Sequence, residues 1–228
     1  MASFLYVSLV LLVVWLALFF FSKQTRREQL ILSVVGLCIS PAAILVASLD
    51  YRGGSAAPKS ILSIEDLLFG FALFGIAAVI YQAMFGKHAE QSPKQKIQVS
   101  LLRWSAELVL ILTLWISISV AALIVFVLSS IQSVVVGGLL IGIYMIANRK
   151  DLLTDALLSG LFVAILVFLS EQLFFVRLFP DAAQSYWNTA YLSGFSLAGV
   201  PIEELLWSGM VGFTIGPVYE YVRRWKLK

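Results

Sequence analysis

Charge is scarce in this chain. Only 13% of its 228 residues are Asp, Glu, Lys or Arg, where a soluble domain carries about a quarter, so most of the surface cannot be meant for water. Cysteine is scarcer still. Cys38 stands alone, which excludes an intramolecular disulfide and a thiolate metal cluster. The single histidine, His88, lies in a polar stretch, where a lone histidine is ordinarily just solvated, and no histidine falls in any apolar run. No G-x-G-x-x-G stretch is present, so a dinucleotide cofactor has no site, and the reading carries neither cofactor nor metal.

What fills the chain instead is apolar length. Hydrophobic residues make up 61% of it, and the mean hydropathy is +0.95. Seven runs reach membrane-spanning length, at about 4–22, 29–49, 64–84, 102–128, 131–147, 153–176 and 201–222. A helix needs roughly 20 apolar residues to cross a bilayer, and none of these runs alternates as barrel strands would. The expected fold is all-α: a polytopic membrane bundle of seven transmembrane helices in one domain, 1–228. The first run lacks a basic leader and a small-residue cleavage site, so it reads as a retained span.

With the N-terminus outside, twelve Lys and Arg fall in the cytoplasmic loops and tail. Three (Arg52, Lys59 and Arg177) fall on the opposite side. Basic residues gather on the cytoplasmic side, so the expected protein sits in the cell membrane, N-terminus out and C-terminus in. The net charge of +3 is then a topology signal, and a nucleic-acid partner has no support. Membrane lipids are the expected surroundings, and a homo-oligomer is left open.

One short stretch occurs twice. "SIEDLLF" at 63–69 and "PIEELLW" at 201–207 align at an offset of 138, pairing Glu65 with Glu203, Asp66 with Glu204 and Phe69 with Trp207. The same offset pairs Tyr81 with Tyr219. Each motif opens the third span of a group of three. The chain therefore reads as two parallel three-helix repeats, about 1–86 and 131–228, joined by a linker helix at about 100–128. Parallel repeats commonly place a site at their interface. Both acid pairs enter the membrane from the same side, and Glu171, near the outer end of the sixth run, lies at similar depth.

Part of this has a structural reading. Ser63 and Asp66 have the spacing of a capping box. Pro201 suits a first helical turn, and acids there meet the helix dipole favourably. Capping accounts for one acid per helix, not two. Adjacent helical residues diverge by about 100°, so one can cap while its neighbour points into the bundle. An acid in the membrane costs on the order of 3 kcal/mol at mid-depth, which makes it a functional candidate. Carboxyls crowded in a low-dielectric pocket cannot all ionise. One can then donate a proton to a poor base and an ionised neighbour can take one back. Phe69 and Trp207, four residues beyond Glu65 and Glu203, could steady a cation as well as pack. Such a set suits acid-catalysed rearrangement of an alkene.

The duplicated unit with "PIEELLW" and "SIEDLLF" resembles the lycopene cyclase domain of the archaeal, fungal and heterodimeric bacterial type, whose repeats carry a Pro-x-Glu-Glu signature opening the third span. Here Ser63 stands at the proline position of the first copy and Asp66 at the second glutamate. The resemblance implies a redox-neutral lycopene β-cyclase-like isomerase (an intramolecular lyase) in carotenoid biosynthesis. It would protonate a ψ end of lycopene, let the cation close a ring and remove a proton to leave a β-ionone ring. It further implies Glu203, Glu204, Glu65 and Asp66 as acid/base residues, with Phe69, Trp207 and Glu171 against the polyene. Other classes stay open. "EELLWSG" shares two glutamates with prenyl-protein-type intramembrane proteases, but Ser208 stands where those have arginine. A non-enzymatic carotenoid- or lipid-binding protein, or a proton-coupled transporter, would use the same apolar spans.

Overall fold

The computed structural model describes residues 2–52, 63–87, 89–90 and 101–227. Lys59, His88, Lys94, Lys96 and Lys228, all part of the sequence reading, lie outside the described residues. The main helices are α1 (Ala2–Phe21), α2 (Arg26–Ala47), α3 (Ile64–Phe85), α4 (Leu101–Val125), α5 (Ser130–Asn148) and α6 (Leu153–Glu171). Beyond them come a π-helical stretch, Gln172–Leu178, and the shorter helices α7 (Pro180–Tyr186), α8 (Ile202–Ile215) and α9 (Val218–Arg223).

Among the described residues, six helices are long and apolar enough to cross a bilayer. This is an integral membrane protein. The seventh run is broken: α8 stops at Ile215 and α9 begins at Val218, with Gly216 and Pro217 between them. Proline has no N–H to continue the helical ladder, so the expected seventh continuous span is two short helices in series. Pro41, by contrast, sits inside α2 without ending it.

Local chemistry fixes where the helices start. Ser63 caps α3, with its side chain and that of Asp66 forming the expected reciprocal box. Ser129 and Gln132 do the same for α5, which places the break between the fourth and fifth runs. Ahead of α8, strands Ser196–Leu197 and Val200–Pro201 pair antiparallel across Ala198 and Gly199. Both turn residues have positive φ, 49° and 89°, as a tight primed hairpin turn requires. The hairpin delivers Pro201, buried, to the first turn of α8.

α3 is the most buried of the spans. It packs against α1, α2, α6 and α8, and the most extensive helix pairs are α2 with α3 and α6 with α8. Close approach needs glycine at both pairs. A Cβ on Gly36 would fall 2.3 Å from the carbonyl oxygen of Gly70, and one on Gly212 would fall 2.4 Å from that of Ser159. The outward faces of the bundle carry exposed apolar side chains such as Val13, Val109, Ile124 and Leu161, which suit hydrocarbon rather than water.

Two polar clusters interrupt this apolar body, one at each end. The end where α2, α3 and α9 meet holds buried Glu28, Gln82 and Glu220. Gln82 Nε2 donates to both oxygens of Glu28 at 3.0 Å and to Glu220 Oε1 at 2.7 Å. Buried Asp155 on α6 accepts from Ser159 at 3.0 Å. The opposite end holds the repeated acids.

Candidate active site

The backbone leaves α2 in a turn, with the Tyr51 and Arg52 amides both donating to the carbonyl of Ala47. Arg52 forms an antiparallel bridge with Trp187, and the Asn188 amide donates to the Tyr51 carbonyl at 3.0 Å. This short pairing brings the end of α2 and the segment after α7 over the N-termini of α3 and α8. Two connecting segments and two helix starts thereby converge.

Glu204 is the centre of the convergence. It is 1% exposed and accepts hydrogen bonds from the Tyr51 hydroxyl, from Trp187 Nε1 at 2.6 Å and from Trp207 Nε1 at 2.5 Å. Three donors from three different segments thus converge on one carboxyl. Burial, together with the neighbouring Glu204 and Glu171 carboxyls, pushes the Tyr51 phenol well above its ordinary pKa. Tyr51 therefore stays protonated and remains a donor. Glu171, also 1% exposed, ends α6 beside the Glu204 carboxyl.

The first copy contributes Asp66, 5% exposed. Its Oδ2 accepts from the Ser63 amide at 3.0 Å and from the Ser63 hydroxyl at 2.9 Å, while Oδ1 lies 2.5 Å from the Arg52 guanidinium. One acid here both caps the helix and faces the site. Burial works against the charge on Arg52, but Tyr186 and Asp66 outweigh it and hold its pKa above the ordinary value. The guanidinium lies over the rings of Phe4 and Tyr186, 4.7 and 4.8 Å from their centroids. Burial likewise pushes the Tyr186 phenol up.

The other acids of the two pairs lie apart. Glu203 accepts from the backbone amide of Ser193 at 2.6 Å and so ties the incoming loop to α8. Glu65 is partly exposed, and its carbonyl accepts from the Ser8 hydroxyl at 3.0 Å, tying α1 to α3. Trp207 bonds Glu204, and the Phe69 and Trp207 rings pack 5.9 Å apart.

Asp66, Glu204, Tyr51, Arg52, Phe69 and Trp207 line one cavity of about 250 Å³. Its remaining walls are mostly apolar and come from α2, α4 and α5, with Phe4 of α1, Leu73 and Phe74 of α3 and Val211 of α8. A single chamber thus has an acid end, with Asp66 of one acid motif and Glu204 of the other, and an aromatic wall beside it. Among the described residues no group of three or more His, Cys, Asp or Glu is arranged to hold a metal ion. Tyr51, Tyr186 and Trp187 were not foreseen as site residues. The only sequence sign of them is their place: Tyr51 follows a span at once, and Tyr186 and Trp187 stand together between the polar residues Gln184, Ser185 and Asn188.

Neither a curated protein nor a solved structure matches the chain. A family model does: residues 129–222, which carry Glu171, Glu204 and Trp207, match the family described as Lycopene cyclase, so the likeness read from the acid motifs is borne out over that segment.

Proposed function

We propose that this chain is a carotenoid-forming cyclase that closes the ψ end of lycopene into a β-ionone ring by acid/base catalysis without a redox step. The observation that carries the reading is the meeting of Asp66 and Glu204 at the acid end of one apolar chamber. The family match supplies the substrate class. In this reading the sequence consists of two parallel repeats with α4 as linker, and each repeat contributes the second acid of its motif.

A proton supplied by the neighbouring Glu171 and Glu204 carboxyls adds to the terminal double bond of the polyene. A tertiary cation results. The next double bond attacks it, a carbon–carbon bond closes the six-membered ring, and the charge moves to a ring carbon. Asp66 removes the adjacent proton, which restores a double bond. One proton enters and one leaves, so the reaction is an isomerisation. Phe69 and Trp207 face the developing cation, an interaction worth about 2 kcal/mol when desolvated. The rings of Phe4 and Tyr186 are occupied by Arg52, whose charge Asp66 offsets. Glu65 and Glu203 hold the approaches rather than reacting. Membrane lipid supplies the route for so apolar a substrate, and the outward face of the acid end follows from the distribution of Lys and Arg.

The chemistry has an isotopic signature. Membranes containing the protein, given lycopene in heavy water, are expected to yield cyclised product with one deuterium per ring formed, because the catalytic proton comes from an exchangeable carboxyl. Cyclised product without deuterium would refute the acid mechanism. Unchanged lycopene from well-folded protein would refute the activity and favour a polyene-binding role.

A further inference from the structure

The chamber does not end at the acids. It continues as a slot whose floor is α3 and α8 and whose walls are α2 on one side and α4 and α5 on the other. Gly36, Ser40, Ala43 and Ala47 of α2 line it, with Ile116, Ser119 and Val120 of α4 opposite. The two ends differ. At the inner end α2 settles onto α3, where Gly36 and Gly70 touch too closely to admit a Cβ. At the other stand Asp66 and Glu204. From Gly36 to Ala47 a helix rises about 16 Å at 1.5 Å per residue, so the slot runs from the acid end toward mid-span of α2.

Its flank is not closed. Ala42 and Ala43 are exposed although they line the slot. Ile116 and Val120 line it too, and they are 49% and 43% exposed. An opening edged by alanine, isoleucine and valine at membrane depth gives onto hydrocarbon, not onto water. The small residues Gly36, Ser40, Ala42, Ala43 and Ala47 widen the slot between the bulkier Ile39, Ile44 and Val46 that α2 also presents to it.

Resting on the cyclase reading, we infer that the polyene enters sideways from the bilayer between α2 and α4, and that Ala43 and Val120 set the bore of that entrance. The chain adjoining the reacting end group lies along the slot, which aligns the terminal double bonds with the acids. Ala43 and Val120 are specificity-determining positions; they touch the passing chain and take no part in proton transfer.

The test uses full-length protein reconstituted in lipid vesicles with lycopene. Ala43→Trp and Val120→Trp are expected to lower kcat/KM about tenfold while leaving kcat within about twofold, the signature of impeded binding rather than impaired chemistry. A second measurement needs no turnover. In a Cys38→Ser background, Ala43→Cys is alkylated by N-benzylmaleimide, and lycopene in the vesicles is expected to slow that alkylation. Unchanged kcat/KM in both Trp variants, or alkylation indifferent to lycopene, overturns the lateral entrance while leaving the cyclase reading intact. Failure of the parent protein to cyclise lycopene refutes that reading instead, and the alkylation result then decides separately whether a polyene occupies the slot.

Discussion

Replacing the Trp187 indole by a phenyl ring removes one of the three donors that hold Glu204. A buried acceptor that loses a partner costs about 1–3 kcal/mol, so Trp187→Phe is expected to lower the unfolding temperature in detergent and to slow cyclisation. A variant as stable and as fast as the parent would mean that Trp187 merely packs. The acids themselves were legible in the sequence, because two adjacent carboxyls in an apolar helix exceed what capping explains. Which acid of each pair faces inward was not legible. That choice is made by partners on distant segments, Tyr51 and Trp187 for Glu204 and Arg52 for Asp66. No local pattern announces those contacts.

Helix starts were readable wherever the cap is local. The Ser63–Asp66 box appears as its spacing predicts, and the apolar runs match α1 to α6 within a few residues at most ends. Tertiary geometry was harder to foresee. The π-helical stretch after Glu171 and the break at Gly216–Pro217 look, in sequence, like the continuation of apolar spans. The closeness of α6 to α8 makes a strong prediction. Gly212→Val would push a side chain into the Ser159 carbonyl, 2.4 Å from the new Cβ. Overpacking of this kind costs about 1–3 kcal/mol or more, and size-exclusion chromatography should show loss of the monodisperse species. Ser63→Ala is milder, about 1 kcal/mol for the lost cap, and a thermal melt in detergent should show that smaller loss with the Arg52–Asp66 ion pair kept.

At the scale of the whole molecule, the two buried polar clusters divide the labour. Gln82 joins Glu28 on α2 to Glu220 on α9 across the bundle. Gln82 and Glu220 stand 138 residues apart, the offset that relates the acid motifs. That correspondence was open to view in the sequence beside the Tyr81–Tyr219 pair, but an isolated Gln and Glu carry no signal until the fold brings them together. Because this cluster lies at the end remote from the acid chamber, Gln82→Leu is expected to reduce stability by on the order of 3 kcal/mol while the folded fraction keeps its turnover number. Loss of turnover in the folded fraction would show that the two ends are coupled. The central claim is that two halves of one chain build a single acid chamber. Its most direct test is pigment chromatography from a bacterial host that accumulates lycopene, expressing the parent, Asp66→Asn and Glu204→Gln at equal levels of inserted protein. The account predicts cyclised carotenoid from the parent and unchanged lycopene from each variant alone. Cyclisation that survives in either variant would contradict a shared site and assign the chemistry to one half.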